Sequence, residues 1–568
     1  MKRNTLELIF TFIALVFAAL LRFTYLGSHP LDNLEATQAL QVLKGIILQN
    51  GPVSSSPIYV VLTSLLFYVF GSSDIAARFL PALVGVLFVL VPVLYKNDLG
   101  RVTTILLMFF FAFDPFLIYL SREAGSGMLA IAVVICFFTA LVKRKSTWLG
   151  ITGALAALSG PLGFTGIAAI GGAAIWMRER NIFGLEGGEE TGQREIKWRR
   201  VIFSAAITLL VFGFAFAIQP WIINGLGAGI VSSLQGWISL SGFQSQGMFI
   251  KIMVGLVILM PLTFILGMSG SIRGLLNKNK FLGFFSRWVL IAFLIVLIYP
   301  MHRVTDLAWV SIPLSVAAAI EVQKWVHPPD SHRLAAYIYA IACILLLIFC
   351  SLKITNLLVY EPGSADYQLA LAGIALTLLM LAVSAFLIGW GWSWKVSLFG
   401  LGVGLVVLLS IFSISMSRRS AGLGGKESAN ILLPGSHSQE LALMKSTLDD
   451  LSLQNTGIPG DLDVSVLRID EPGLRWSLRD YGAAEFVQYL PPGGAPQIVI
   501  TQANEELQLP ASYRGQDFVN SAEVPWTLLT GKEWLRWILF GDAPTQKSFL
   551  ILWARNDLFP EGSSTINE

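Results

Sequence analysis

Charge is scarce in this chain. Only 13% of its 568 residues are Asp, Glu, Lys or Arg, against 55% hydrophobic ones, and the mean hydropathy is +0.68. A soluble domain carries about a quarter charged residues, so this composition calls for lipid around much of the chain. The net charge of +3 leaves no basic footprint for nucleic acid. Cysteine is nearly absent too: Cys136, Cys343 and Cys350 all lie within apolar runs, so disulfides are not expected and cysteine usage says nothing about redox compartment. No C-x-x-C, H-E-x-x-H, P-loop or G-x-S-x-G pattern occurs, which removes the common metalloprotease, nucleotide-binding and hydrolase readings. No cofactor and no metal site is expected.

What the chain has is long apolar runs. A helix needs about 20 such residues to cross a bilayer. Thirteen runs are read as spans: 8–26, 78–95, 102–120, 127–142, 147–158, 161–176, 201–219, 248–268, 288–300, 307–321, 335–353, 368–389 and 396–415. The first is not a signal peptide, because it is long enough to span, lacks a small-residue cleavage pattern and ends in Arg22 and Tyr25. Basic residues sort to the cytoplasmic side. With this threading, 20 of the 27 Lys and Arg in residues 1–415 fall there, which predicts a cell-membrane protein with a cytoplasmic N-terminus and an extracytoplasmic C-terminus.

Two pairs of runs, 147–176 and 288–321, have halves of only about 12–16 residues, short of a full span. Their tips are expected to leave hollows, one floored by Ser159, Gly160 and Pro161 and the other by His302, Arg303 and Asp306. Segment 57–70 is apolar but short and reads as an interfacial helix. The expected division is a membrane domain over 1–417, a linker over 418–445 and an α/β domain over 446–568. In that last part Val464–Ile469, Gln497–Thr501 and Ser548–Trp553 have strand character.

With so few charges, each candidate is weighed singly. Asp32 and Glu35 are three apart, so on a helix they share a face and offer a general base, while the same spacing fits a helix N-cap with its capping-box glutamate. Arg78, Arg122 and Arg303 stand at span ends, where guanidinium groups either grip an anionic headgroup or snorkel to lipid phosphates. Asp114 precedes Pro115 within a span; intramembrane acids are functional candidates, and a freed backbone group beside proline gives this one a structural alternative. Glu123, His302 and Asp306 complete the set.

The stretch Arg22 to Ala39, RFTYLGSHPLDNLEATQA, resembles the first outer loop of glycosyltransferase family 39 and its relatives, which include protein O-mannosyltransferases, aminoarabinose transferases and flippase-activity-associated prokaryotic proteins. Ser56-Pro57-Ile58-Tyr59, Gly71-Ser72-Ser73 and Ala77-Arg78-Phe79-Leu80-Pro81 are similar to the next stretch of those families. Pro115 with Tyr119-Leu120-Ser121-Arg122, and His302-Arg303 with Asp306-Leu307-Ala308-Trp309 and Pro313-Leu314, resemble later ones. The likeness covers about the first 320 residues. Trp476-Ser477-Leu478-Arg479-Asp480-Tyr481 and Gln497-Ile498-Val499-Ile500-Thr501 look most like the flippase-associated branch.

The resemblance implies a GT-C fold, an all-helical membrane core with an outer active site, to which the residues after 445 add the small extracytoplasmic α/β domain. It also implies an inverting glycosyltransferase that moves a sugar from a polyprenyl-phosphate donor to an acceptor, which is a protein, lipid or glycan. Glu35 matches the glutamate of the family's Asp-Glu-Ala, and Leu34 stands where the aspartate is expected. Either Asp32 replaces that acid from the preceding turn, or the protein is impaired or has another role. Gly125, Ser126 and Gly127 occupy the place of a second acid. The expected roles are Glu35 and Asp32 as catalytic acids and Arg78, Arg122 and Arg303 on the donor phosphate. The rival readings are a lipid-linked sugar flippase and a non-catalytic glycosylation partner.

Overall fold

A computed structural model of the chain describes residues 2–48, 56–177, 196–213, 231, 234–235, 246–276, 280–299, 303–325, 328–329, 332–424, 431–432, 436–437, 439–490, 494–503 and 509–559. The first part is helical: α1 (Lys2–Phe23), α2 (Asn33–Leu48), α3 (Pro57–Phe70), α4 (Asp74–Phe88), α5 (Lys96–Leu99), α6 (Arg101–Ala112), α7 (Pro115–Arg122), α8 (Gly127–Val142), α9 (Ser146–Ala157), α10 (Pro161–Met177) and α11 (Trp198–Gly213). Then follow α12 (Gln246–Leu259), α13 (Pro261–Leu276), α14 (Lys280–Ile298), α15 (Ala308–Gln323), α16 (Arg333–Val359), α17 (Ala365–Gly391) and α18 (Trp394–Ser420).

Among the described residues seven helices are long and apolar enough to cross a membrane, or nine if two bent pairs count as one span each; Pro57–Phe70, Gly127–Val142 and Pro161–Met177 are shorter apolar helices. The chain is an integral membrane protein. Along α17 only 11% of the most apolar stretch is buried in protein. Its Leu371, Leu379 and Leu387 are more than half exposed, a surface that lipid covers and water would not.

The breaks have local causes. α6 and α7 are bent by 51° around Asp114-Pro115. Proline offers no N–H to the preceding turn, and the Asp114 Oδ1 accepts hydrogen bonds from the N–H groups of Phe116 and Leu117 at 2.9 and 3.0 Å, capping the new helix. Asp114→Ala is therefore expected to cost about 1 kcal/mol, and Asp114→Asn much less, in thermal unfolding of the detergent-solubilised protein. The expected single span 248–268 is instead broken by 93° at Pro261. The pair expected to be short over 288–321 is not short: α14 starts at Lys280, and Val304–Gln323 supplies 20 residues. The reason is that Arg287, which reads as a boundary charge, lies within the helix, with its guanidinium over the Trp176 ring at 5.7 Å. At the other pair α9 has 12 residues and α10 has 17, joined through Gly160 in the left-handed region (φ 84°).

After α18 come β1 (Ser436–His437), α19 (Gln439–Thr456), β2 (Val464–Leu467), α20 (Pro472–Ser477), β3 (Ala484–Val487), β4 (Ile498–Gln502), β5 (Tyr513–Glu523), α21 (Gly531–Phe540) and β6 (Gln546–Arg555). The six strands form one sheet in the order β1-β5-β6-β4-β2-β3. β2 runs parallel to β3 and β4, and the remaining pairs are antiparallel. Both faces of β2 are buried, as its unbroken run of buried residues requires, and Leu441, Met444 and Leu448 of α19 pack on the sheet in one apolar core. The three predicted strands correspond to β2, β4 and β6.

Candidate functional site

The site begins with the turn that joins α1 to α2. A helix leaves its last carbonyls without partners, and here Arg122, from the end of α7, supplies them. Its Nη1 donates to the carbonyls of Leu21, Arg22 and Thr24 at 3.1, 3.1 and 2.9 Å, and its Nη2 to that of Tyr25 at 3.2 Å. Arg22 does the same for α6. Fully buried, it donates to the carbonyls of Ala18, Ala112 and Phe111 at 3.1–3.3 Å, and Gly85 makes room for it, because a Cβ there would lie 2.8 Å from Arg22 Nε. Its identity as a buried clamp is not legible in the sequence, where it reads as an end-of-span charge.

The start of α2 is built from Asp32 and Glu35, both buried. Asp32 Oδ1 accepts from the N–H groups of Leu34 and Glu35 at 2.8 Å, and Glu35 Oε2 accepts from Asp32 N–H at 3.1 Å, a capping box. Glu35 goes further. Its Oε1 accepts from Arg78 Nε at 2.7 Å and from Ala124 N–H at 2.7 Å, and its Oε2 from Arg78 Nη2 at 2.5 Å. The remaining Arg78 donors reach the carbonyls of Leu26, His29 and Pro30 at 3.2, 2.8 and 3.2 Å. Glu35 and Arg78 thus join α2, α4, the first loop and the turn after α7 into one unit, with both Glu35 oxygens twice engaged. Asp32 keeps Oδ2 unpartnered among the described residues. Burial holds its carboxyl above the usual carboxylate range, and the neighbouring Glu35 adds to this. Burial, then the charges of Arg78 and Arg122, hold His29 below its ordinary value.

Glu123 and Arg303 differ from these. The Arg303 side chain is 55% exposed, and its Nη1 lies 3.8 Å from Glu123 Oε1. Burial pushes the Glu123 carboxyl up to about 8 against the opposing pull of Arg303. Asp306 Oδ2 accepts from Arg303 N–H at 2.9 Å, ordering the turn from which that side chain projects. His302 lies outside the described residues. Behind this turn a small hollow of about 10 Å³, room for about one water, is lined by residues that include Thr165, Ala169, Tyr299, Asp306 and Trp309. Of the predicted residues, then, the structure gathers Asp32, Glu35 and Arg78 into one buried unit and pairs Glu123 with Arg303 beside Asp306. It gives Asp114 and Arg122 helix ends to hold.

The sheet unit reaches the same place. Trp476 of α20 is fully buried; its Nε1 donates to Asp74 Oδ1 at 2.7 Å and its ring stacks on Phe67 at 5.9 Å. The Arg479 guanidinium lies over the indole at 4.2 Å and donates to the Ser72 carbonyl at 3.1 Å, while Gly473 N–H donates to Asn33 Oδ1 at 3.0 Å. Asp74 lies one turn before Arg78 in α4, and Asn33 stands between Asp32 and Glu35. Nothing in the sequence signals these contacts, whose hydrogen-bonded partners are 402 to 440 positions apart. Among the described residues no three His, Cys, Asp or Glu come together to hold a metal ion.

A many-helix membrane core, bent spans, an arginine–carboxylate cluster at one end and a small sheet docked over it define a membrane protein of the GT-C fold. Solved structures similar to it include two of ArnT. ArnT from Cupriavidus metallidurans bound to undecaprenyl phosphate matches with a TM-score of 0.53 and 12% identity over 96% of this chain and 97% of that one. The same protein in the apo state gives 0.51 and 12% over 97% and 98%. At such identity the likeness is one of fold. No protein-family model and no curated protein matches the sequence.

Proposed function

We propose that the protein is a membrane glycosyltransferase that takes a sugar from a polyprenyl-phosphate donor and gives it to an acceptor on the extracytoplasmic side, where the sheet unit lies. The observation that carries this reading is the Arg303–Glu123 pair, exposed on its arginine side, beside the first loop of a GT-C fold. The solved neighbour with undecaprenyl phosphate makes an isoprenoid phosphate the natural donor class. Arg303 holds the donor phosphate and stabilises the charge that develops on it as the sugar leaves. Glu123 removes the proton from the acceptor hydroxyl. Asp32, with one oxygen open, orients that acceptor; Glu35, Arg78 and Arg122 keep the loop in shape. In this assignment Leu34 no longer leaves the site without an acid, because the acid comes from the end of α7.

The test is mass spectrometry of the lipid that copurifies with the protein. A polyprenyl-phosphate species is expected, and Arg303→Ala should lower its occupancy more than tenfold, since a charge-assisted bond is worth about 1.5–3 kcal/mol. Phospholipid alone in the wild-type protein would sink the proposal. Transfer should also rise with pH to a midpoint near 8, where Glu123 ionises, and Glu123→Gln should abolish it. The sign for stability is opposite. Between the ordinary value of 4.5 and about 8 the folded chain keeps a proton that the unfolded chain has released, so this group makes stability fall as pH rises through that window.

A further inference from the structure

α21 is an amphipathic helix whose placement relative to the bilayer is fixed by a membrane span. Thr530 and Glu533 form its capping box, and Gly541, in the left-handed region at φ 74°, ends it. Arg419, in the last turn of α18, donates to the carbonyls of Trp537, Ile538 and Leu539 at 2.8–2.9 Å. α18 has 27 residues, about 40 Å at 1.5 Å per residue, so it passes through a hydrocarbon core of about 30 Å and ends among the headgroups. The inward face of α21 is a tryptophan cluster. Trp526, Trp534 and Trp537 meet at 5.1–5.7 Å and pack with Val524 and Ile538 against the apolar core of the membrane helices.

The outward face is not that of a helix surrounded by water. Leu535 and Phe540 are 48% and 47% exposed, and Leu528 in the preceding turn is 73% exposed. Lys532 and Arg536 share the face with Leu535 and Phe540. Exposed apolar groups with interspersed cations on one face are what a helix lying in the headgroup layer needs.

We infer that α21, with Leu528, is an interfacial anchor seated in the headgroup layer of the bilayer that the membrane helices cross. Leu528, Leu535 and Phe540 enter the acyl boundary, while Lys532 meets lipid phosphates and Arg536 stays paired with Asp542 at the headgroup level. The anchor holds the sheet unit down at α18 and so keeps α20 pressed on the first loop. It does not depend on the sugar-transfer reading.

The experiment uses the full chain with its three cysteines replaced. Leu528→Cys, Leu535→Cys, Phe540→Cys and, as a water-exposed control in α19, Ser446→Cys each carry one fluorophore, in nanodiscs of phosphatidylethanolamine and phosphatidylglycerol. The labels at 528, 535 and 540 are expected to be quenched about threefold or more over the Ser446 label by lipid bearing a nitroxide near the headgroup end of its chain, and to be shielded from aqueous iodide. Iodide quenching equal to that at Ser446 would overturn the inference. So would shielding from iodide with no nitroxide quenching, the outcome for a second copy or another protein covering this face.

Discussion

Arg78→Ala is expected to unfold the region around the first loop. The guanidinium has no exposed margin: its donors serve Glu35 and three carbonyls, and the ion pair is 8% and 4% exposed on its two sides. Removing one partner of such a pair leaves a buried, uncompensated charge and costs about 3–5 kcal/mol. Arg78→Lys should recover little, because three N–H groups on a point charge cannot replace the fork that reaches Glu35, Leu26, His29 and Pro30 together. Glu35→Gln strands Arg78 in the same way. Combining Glu35→Leu with Arg78→Met, which puts apolar groups of similar size on both sides, should cost less than the sum of those two changes made singly. Thermal unfolding of the wild type, the two single variants and the double variant in detergent gives the coupling energy; strictly additive losses would show that the pair is not one unit.

Trp476→Ala is expected to release the sheet unit from the membrane core. A fully buried indole leaves a cavity worth about 3–5 kcal/mol, and with it go the bond to Asp74, the stack on Phe67 and the seat of Arg479. Trp476→Phe keeps the ring and loses the hydrogen bond to a charged acceptor, for a smaller loss of about 1.5–3 kcal/mol. Hydrogen exchange separates these effects. In the alanine variant the amides of residues 29–36 and 72–78 should gain exchange along with α20. If they keep their wild-type protection, the docking does not order the loop.

Much of the fold is legible in one dimension because the bilayer sets a length scale. α3 and α8 coincide with the apolar runs 57–70 and 127–142, whereas the breaks at Pro115 and Pro261, where proline withholds an N–H, fall inside runs that read as single spans. Asp114 and Arg287 show the limit. A charge in an apolar run reads as a boundary or a functional group, whereas one of these caps a bend and the other rests on a tryptophan inside a helix.

By itself, the sequence determined that this chain lives in a membrane, roughly where its helices begin, and that a few charges survive in an apolar setting at one end. It did not determine what those charges do. A buried charge or donor is tolerated only when partners replace its water, and the acceptors for Arg78, Arg122 and Trp476 are backbone carbonyls and carboxylates brought near by packing across 43 to 402 positions. The tertiary structure therefore decided which charges build the loop and which, as at Arg303, keep an exposed side chain, since desolvation depends on surroundings in space that spacing along the chain does not encode.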